Sequence, residues 1–331
     1  MRFLGKLTLC LWVAALTTSL SAERLHVNDK KVPESREDLV AIQTSLQKHL
    51  AVARQATVCI QVGQGSGSGV IVSEGGLVLT AAHVISGVGK SMKVVMEDGT
   101  KYEAKSLGLH SENDAGMLQI QSEKKFPFVR YENKSANNLP ESRVGDWVFA
   151  LGHSGGFDKA RGSVVRLGRM VKVADTTVHS DCVLIGGDSG GPLFDMNGEL
   201  IGIHSRVGRR LAQNMHVPLQ VFHTYWDLLE KGEFIGDGAF AVKQKPGTGF
   251  MGVAAKEVDG VLEVTQVEPG YPAEQAGIEV GDLLTSINQE PLRSKNQLRG
   301  LMKKLADGDH IKLGYCRDGK FKSVDLNLVQ R

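Results

Sequence analysis

The chain has 331 residues, of which 41% are hydrophobic and 23% charged, and a formal net charge of +2. Apolar content on this scale supports packed cores and excludes a disordered or collagen-like chain, and the lack of a dense Lys/Arg tract argues against a nucleic-acid partner. Its 39 Gly exceed the usual ~7% and point to many tight turns, whereas four Cys are too few for a disulfide scaffold.

Residues 1–22 read as a signal peptide. Arg2 and Lys6 precede an uncharged stretch from Leu7 to Leu20, and the small residues Ser19, Ser21 and Ala22 lead into Glu23 and Arg24. This is the three-part secretory pattern, too short and too rich in hydroxyls for the ~20 apolar residues that span a bilayer. Cleavage near Ser21 or Ala22 is expected, placing the protein in a periplasm or outside the cell; the rival reading is a retained anchor. Residues 1–22 carry two basic residues and no acidic one, so the remainder holds 37 of each sign. It also keeps Cys59, Cys182 and Cys316, an odd number that leaves at least one thiol unpaired. None of the three has Cys or His neighbours at metal spacing, and neither a metal nor a cofactor is expected.

A helical segment, residues 23–56, comes next. Leu39, Ile42, Leu46, Leu50 and Ala53 recur at helical steps, and Ser35 with Asp38 resembles a capping pair. The face so defined suits packing on its own domain or an oligomer contact. From 57 to 232 the pattern becomes short β-branched runs separated by Gly, Asp and Asn, with hairpin signals at Glu97-Asp98-Gly99 and Met196-Asn197-Gly198. No βαβ alternation is visible, so this region reads as an all-β sandwich or barrel pair, closed by a helix over Val221 to Glu230. Residues 233–246 read as a linker. Residues 247–331 form a compact β-rich unit with one amphipathic helix at about 295–305.

Three separated motifs carry chemistry. Gly187-Asp188-Ser189-Gly190-Gly191-Pro192 places a serine on a sharp turn, where the N–H groups of Gly187 and Ser189 converge as an oxyanion hole. Leu79-Thr80-Ala81-Ala82-His83 sets a histidine after an apolar strand and two small residues. His110, His153, His179, His204 and His216 lack that setting. The third member is a carboxylate that fixes the imidazole tautomer. Asp114 precedes the apolar run Ala115 to Ile120, whereas Asp98 and Asp146 are turn residues; Glu112 lies close by in sequence and stays open as a rival.

The order His83, Asp114, Ser189 is that of chymotrypsin-type enzymes. Thr80-Ala81-Ala82-His83, the Asp114 to Ile120 strand and Gly187 to Phe194 resemble the trypsin-like HtrA/DegP family, as do residues 66–73 and Gly152 to Gly156. The tail resembles a PDZ domain through residues 249–253, 267–288 and the 295–305 helix. The resemblance implies a mainly β fold, a chymotrypsin-like double β-barrel followed by a PDZ domain. It also implies a serine endopeptidase acting in protein quality control or regulated proteolysis, with protein and peptide substrates and assembly as a homo-oligomer, a trimer in the family. Peptide C-termini would bind at Gly249, Phe250, Met251 and Gly252.

The same resemblance places the specificity pocket at Val183, Leu184 and Ile185. A trypsin would carry Asp where Val183 stands, so cleavage after small or aliphatic residues is expected, not after Lys or Arg. The strand Ile203 to Arg206 should pair with the substrate backbone. This sequence departs from the family in carrying Asp188 for Asn, Gly186 for Pro and Gln289 for a PDZ Gly, and the 35–54 helix has no family match. In trypsins the equivalent of Asp188 receives a new N-terminus on activation. No such cleavage site precedes the first strand, so Asp188 should find a different internal partner. The alternative of another class is an inactive PDZ-containing peptide-binding or holdase protein; the complete triad favours the enzyme.

Overall fold

The computed structural model describes residues 24–63, 65–131, 143–208, 213–241 and 246–330. The signal-peptide reading falls outside the described residues. Among those described, no helix is long and apolar enough to cross a membrane.

A short 3-10 turn at His26–Asp29 leads into α1, Arg36–Ala56. Ser35 caps α1 by accepting from the Asp38 N–H at 3.2 Å. The Asp38 carboxylate does not return that bond. It accepts from the Glu34 N–H at 2.8 Å and from Lys30 Nζ at 2.8 and 2.9 Å, and the bonded Lys30 ammonium holds it down at about 2. Asp38 therefore takes the inward position of the first turn, and Leu39, about 100° further round the helix, is left 57% exposed. The rest of the expected face packs as expected on the chain's own barrels. Ile42 and Ala53 are buried, and Leu46 and Leu50 half-buried, against a core that includes Phe149, Phe194 and Phe222.

Two six-stranded barrels follow. The first comprises β1 Thr57–Val62, β2 Gly65–Ile71, β3 Leu77–Ala81, β4 Ser91–Val95, β5 Lys101–His110 and β6 Ala115–Ile120, and pairing of β5 with β6 closes it. A single helical turn, α2 Ala82–Ile85, interrupts it after β3. The second is the closed barrel of β7 Trp147–Gly152, β8 Val164–Lys172, β9 Val178–Ser180, β10 Pro192–Asp195, β11 Leu200–Val207 and β12 Asn214–Pro218. Both expected hairpin turns occur, with Gly99 (φ +90°) joining β4 to β5 and Gly198 (φ +77°) joining β10 to β11. The helix α3, Leu219–Glu230, packs Phe222 and Leu229 into the shared core.

The segment read as a linker is partly built into the first barrel. β13, Phe234–Ile235, adds in parallel to β5, and Ala241 is buried in the first barrel's core. Apolar residues too few to show a period leave no mark in the pattern, so this docking has no sequence signature.

The tail is a separate sheet unit: β14 Gly249–Phe250, β15 Val253–Val258, β16 Val261–Val267, α4 Pro272–Gln275, β17 Leu283–Ile287, β18 Glu290–Pro291, α5 Lys295–Met302, β19 His310–Arg317, β20 Lys320–Asn327 and β21 Val329–Gln330. Its main sheet runs β15-β16-β17-β19-β20, leaving β15 at one edge, and β14 pairs with β21. The core gathers Leu262, Val264, Leu284, Ile311 and Leu313.

Cys59, Cys182 and Cys316 are all free. Burial pushes the Cys59 thiol up to about 11 and the Cys182 thiol up to about 12, so neither forms the reactive thiolate near neutral pH. Brief iodoacetamide treatment of the folded protein, followed by peptide mapping, is expected to leave both unmodified and to alkylate them only after unfolding. Native labelling of Cys59 or Cys182 would contradict this packing.

Candidate active site

Strand register brings the first two motif residues together. β3 pairs with β6 so that Ala81 lies opposite Ala115, which sets Ala82-His83 beside Asp114. The Ala82 N–H donates to Asp114 O at 3.0 Å and the His83 N–H to Asp114 Oδ1 at 3.0 Å. Asp114 has φ +59°, the left-handed region that Asp tolerates better than most side chains. Its carboxylate is fully buried and accepts from His83 Nδ1 at 2.9 and 3.0 Å. A bonded Nδ1–H leaves Nε2 as the free, basic nitrogen.

Ser189 approaches from the second barrel, in the loop between β9 and β10. Its Oγ donates to Ser205 O at 3.3 Å, and Ser205 Oγ donates to Asp114 Oδ2 at 2.6 Å. Among the described residues Ser189 makes no hydrogen bond to His83, so the two meet only through Ser205 and Asp114. The loop's carbonyls are tied down. Gly187 O accepts from Ser68 Oγ at 2.8 Å, Gly186 O from the Gly155 N–H at 2.7 Å and Ser189 O from the Ser68 N–H at 2.7 Å. The N–H groups of Gly187 and Ser189 have no such partner among the described residues, and so stay open to an incoming acceptor. Gly187 has φ +94°, and a Cβ there would lie 2.5 Å from His153 O. Only glycine fits that position.

Of the expected pocket residues, Val183 and Ile185 are 43% and 55% exposed, while Leu184 is buried with its N–H donated to Asn214 Oδ1 at 2.9 Å. Arg206 lies over the Phe240 ring, 4.8 Å from its centroid, and that ring stands 6.4 Å from the His83 ring. Asp188 has an internal partner: its Oδ2 pairs with Arg166 Nη2 at 2.8 Å, and among the described residues it takes no donor from the N-terminal segment. In the tail, Gly249 and Phe250 form β14, Met251 is buried in the core, and Gly252 (φ +85°) packs against Tyr271. Together they lead into the edge strand β15.

Sequence reasoning missed Ser205, Arg166 and Phe240. A serine within β11, after the run Leu200 to His204, was the available signal for Ser205. Arg166 and Phe240 acquire their roles only through contacts distant in sequence.

Residues 67–203 match the trypsin-like peptidase domain family and residues 249–328 the PDZ domain family. In this order of domains the chain is similar to the HtrA/DegP-like proteins. A probable periplasmic serine endoprotease DegP-like from Rhizobium meliloti is 30% identical over 80% of this chain and 53% of its own length. The periplasmic pH-dependent serine endoprotease DegQ of Escherichia coli is 32% identical over 80% of this chain and 59% of its own. This HtrA/DegP-like chain thus spans little more than half the length of these curated relatives. A serine endoprotease of known crystal structure from Yersinia pestis has 24% identity and a TM-score of 0.48, covering 91% of this chain and 99% of that one.

Beneath the site of this HtrA/DegP-like chain lies a buried histidine pair. His204 Nδ1 and His216 Nδ1 are 2.9 Å apart, Ser180 Oγ meets His216 Nε2 at 2.8 Å, and His204 Nε2 meets Leu151 O at 3.1 Å. Burial holds His216 down at about 3 and His204 well below its ordinary value. Both are neutral in the folded state. Below about pH 6.5 the unfolded chain takes up protons that the folded chain refuses. The stability associated with the neutral pair is therefore complete above 6.5 and falls from there toward pH 3, by up to about 1.4 kcal/mol per pH unit for each histidine. In thermal melts between pH 7 and 4, the parent should lose Tm more steeply than His216→Gln; parallel curves would refute the assignment.

Proposed function

We propose that this chain is an exported serine endopeptidase of periplasmic quality control or regulated proteolysis, with a PDZ domain that binds peptide C-termini. The observation that carries the reading is the buried Asp114 carboxylate bonded to His83 Nδ1 and linked through Ser205 to Ser189, on a loop whose Gly187 and Ser189 N–H groups take no protein acceptor among the described residues. In this mechanism Ser189 Oγ leaves Ser205 O for His83 Nε2, gives up its proton there and attacks the scissile carbonyl. The Gly187 and Ser189 N–H groups receive the oxyanion, and His83 returns the proton to the leaving amine while Asp114 stabilises the imidazolium. The proposed location is supported by the periplasmic naming of the relatives and by the pattern of residues 1–22.

The exposed apolar side chains of Val183 and Ile185 favour small or aliphatic residues before the cleaved bond, with Arg206 and Phe240 walling the cleft further upstream. In the tail, the edge strand β15 beside α5 supports addition of a peptide strand, its carboxylate held by the Gly249 to Gly252 backbone. Assembly as a homotrimer belongs to the same proposal, supported by the exposed Val32, Leu39 and Val40 of the N-terminal segment.

The purified chain should digest casein, and Ser189→Ala should lose kcat on the order of 10⁶-fold. Asp114→Asn, which preserves shape but changes the tautomer, should lose about 10⁴-fold. Equal activity of the parent and Ser189→Ala removes the nucleophile from the reading, and no activity in either, with retained peptide binding, favours a holdase. Mass-spectrometric mapping of the casein fragments should find Ala, Val, Ile or Leu before the cut bonds. A strict Lys/Arg preference would overturn the pocket assignment.

A further inference from the structure

The carboxylate between the two oxyanion donors is held by a cation from inside the same barrel. Asp188 is fully buried, and each of its oxygens is satisfied. Oδ1 accepts from Ser154 Oγ at 2.6 Å, and Oδ2 accepts from the Ile185 N–H at 2.9 Å and from Arg166 Nη2 at 2.8 Å. Arg166 Nη2 also donates to Ser154 Oγ at 2.8 Å, which closes a three-membered network. Arg166 stands on β8, opposite Ala150 of β7, so a rigid strand presents the guanidinium. The fit is tight: a Cβ on Gly152 would lie 2.5 Å from Asp188 Oδ1.

We propose that Arg166 is a positioning residue for the oxyanion loop, one that makes the chain competent without any activating cleavage at its N-terminus. The inference rests on the endopeptidase reading. A buried carboxylate without a cation costs several kcal/mol, so an unpaired Asp188 would swing toward water. Its neighbours Gly187 and Ser189 would turn with it, because a backbone this tightly bonded rotates as a unit. The pair with Arg166 removes that drive and holds the loop in the conformation in which neither N–H group meets an acceptor among the described residues. His153, Arg161, His204 and Cys182 are the other titratable groups that face this network among the described residues. Burial holds His153 below its ordinary value, and Arg161 is occupied by Ser154 O and Gly156 O. Asp188 takes no donor from the N-terminal segment among the described residues; Arg24, near its start, is bonded to Asp146 and Asp29.

The test is the set parent, Ser189→Ala, Arg166→Met and Arg166→Met with Asp188→Asn, made in the full chain. Each is measured for kcat and KM on a fluorogenic peptide taken from a mapped casein cut, for labelling by a fluorophosphonate, and for Tm. Arg166→Met is expected to lose about 10²-fold in kcat, the scale of a lost oxyanion donor, with KM little changed. The double variant, in which the buried charge is gone and its shape retained, is expected to return to within about tenfold of the parent. Arg166→Met at parental kcat overturns the role of Arg166 while leaving the endopeptidase reading intact. So does a double variant that melts like the parent yet stays as slow as the single one. Should Arg166→Met fail to fold, the double variant decides: kcat within about tenfold of the parent upholds the role, and a double variant that melts like the parent yet is slower by about 10²-fold overturns it. An inactive parent overturns the endopeptidase reading itself.

Discussion

A carboxylate removed from water must be given donors by the protein around it, and Asp114 obtains its donors from both barrels. The His83 backbone and ring donate from α2, which follows β3, and Ser205 Oγ donates from β11 across the seam. The bonds do more than stabilise one side chain. They fix the seam between the barrels at the place where Ser189 arrives, and they set the imidazole orientation before any substrate binds. Asp114 accepts a left-handed backbone to reach this position, a local cost that the surrounding bonds outweigh.

The same rule governs the nucleophile loop, where Asp188 is the second buried carboxylate. Its ligands, Ser154, Ile185 and Arg166, all come from the second barrel. Carbonyls of Gly186, Gly187 and Ser189 are bonded to neighbouring strands and turns, whereas the N–H groups of Gly187 and Ser189 have no such partner among the described residues. The neutral His204–His216 pair lies directly below, since His204 N and O bond to the Gly191 and Gly190 backbone at 2.8 and 2.7 Å.

Much of the fold is legible because it follows local rules. The α1 period, the Gly99 and Gly198 turns, and the β-rich character of the tail each occur where pattern and turn chemistry put them. Leu39 departs because Asp38, a polar residue, takes the inward position by recruiting Lys30 and His26, and hydropathy does not register a bonded charge. β13 and Phe240 were unreadable for another reason. Two-residue strands and single aromatic contacts have no period, and their place depends on which surface happens to be within reach.

The sequence alone determined the kinds of residues available to the chemistry: a serine in a glycine-rich turn, a histidine after an apolar strand, an acid before another, and a β-rich tail. It did so because turn and strand preferences act over a few residues. Only the tertiary structure decided which groups satisfy the two buried acids. Ser205 lies 91 residues from Asp114, and Arg166 reaches Asp188 from a neighbouring strand. Desolvation is a property of the assembled interior, so the partners that answer it are chosen by packing and carry no local signature.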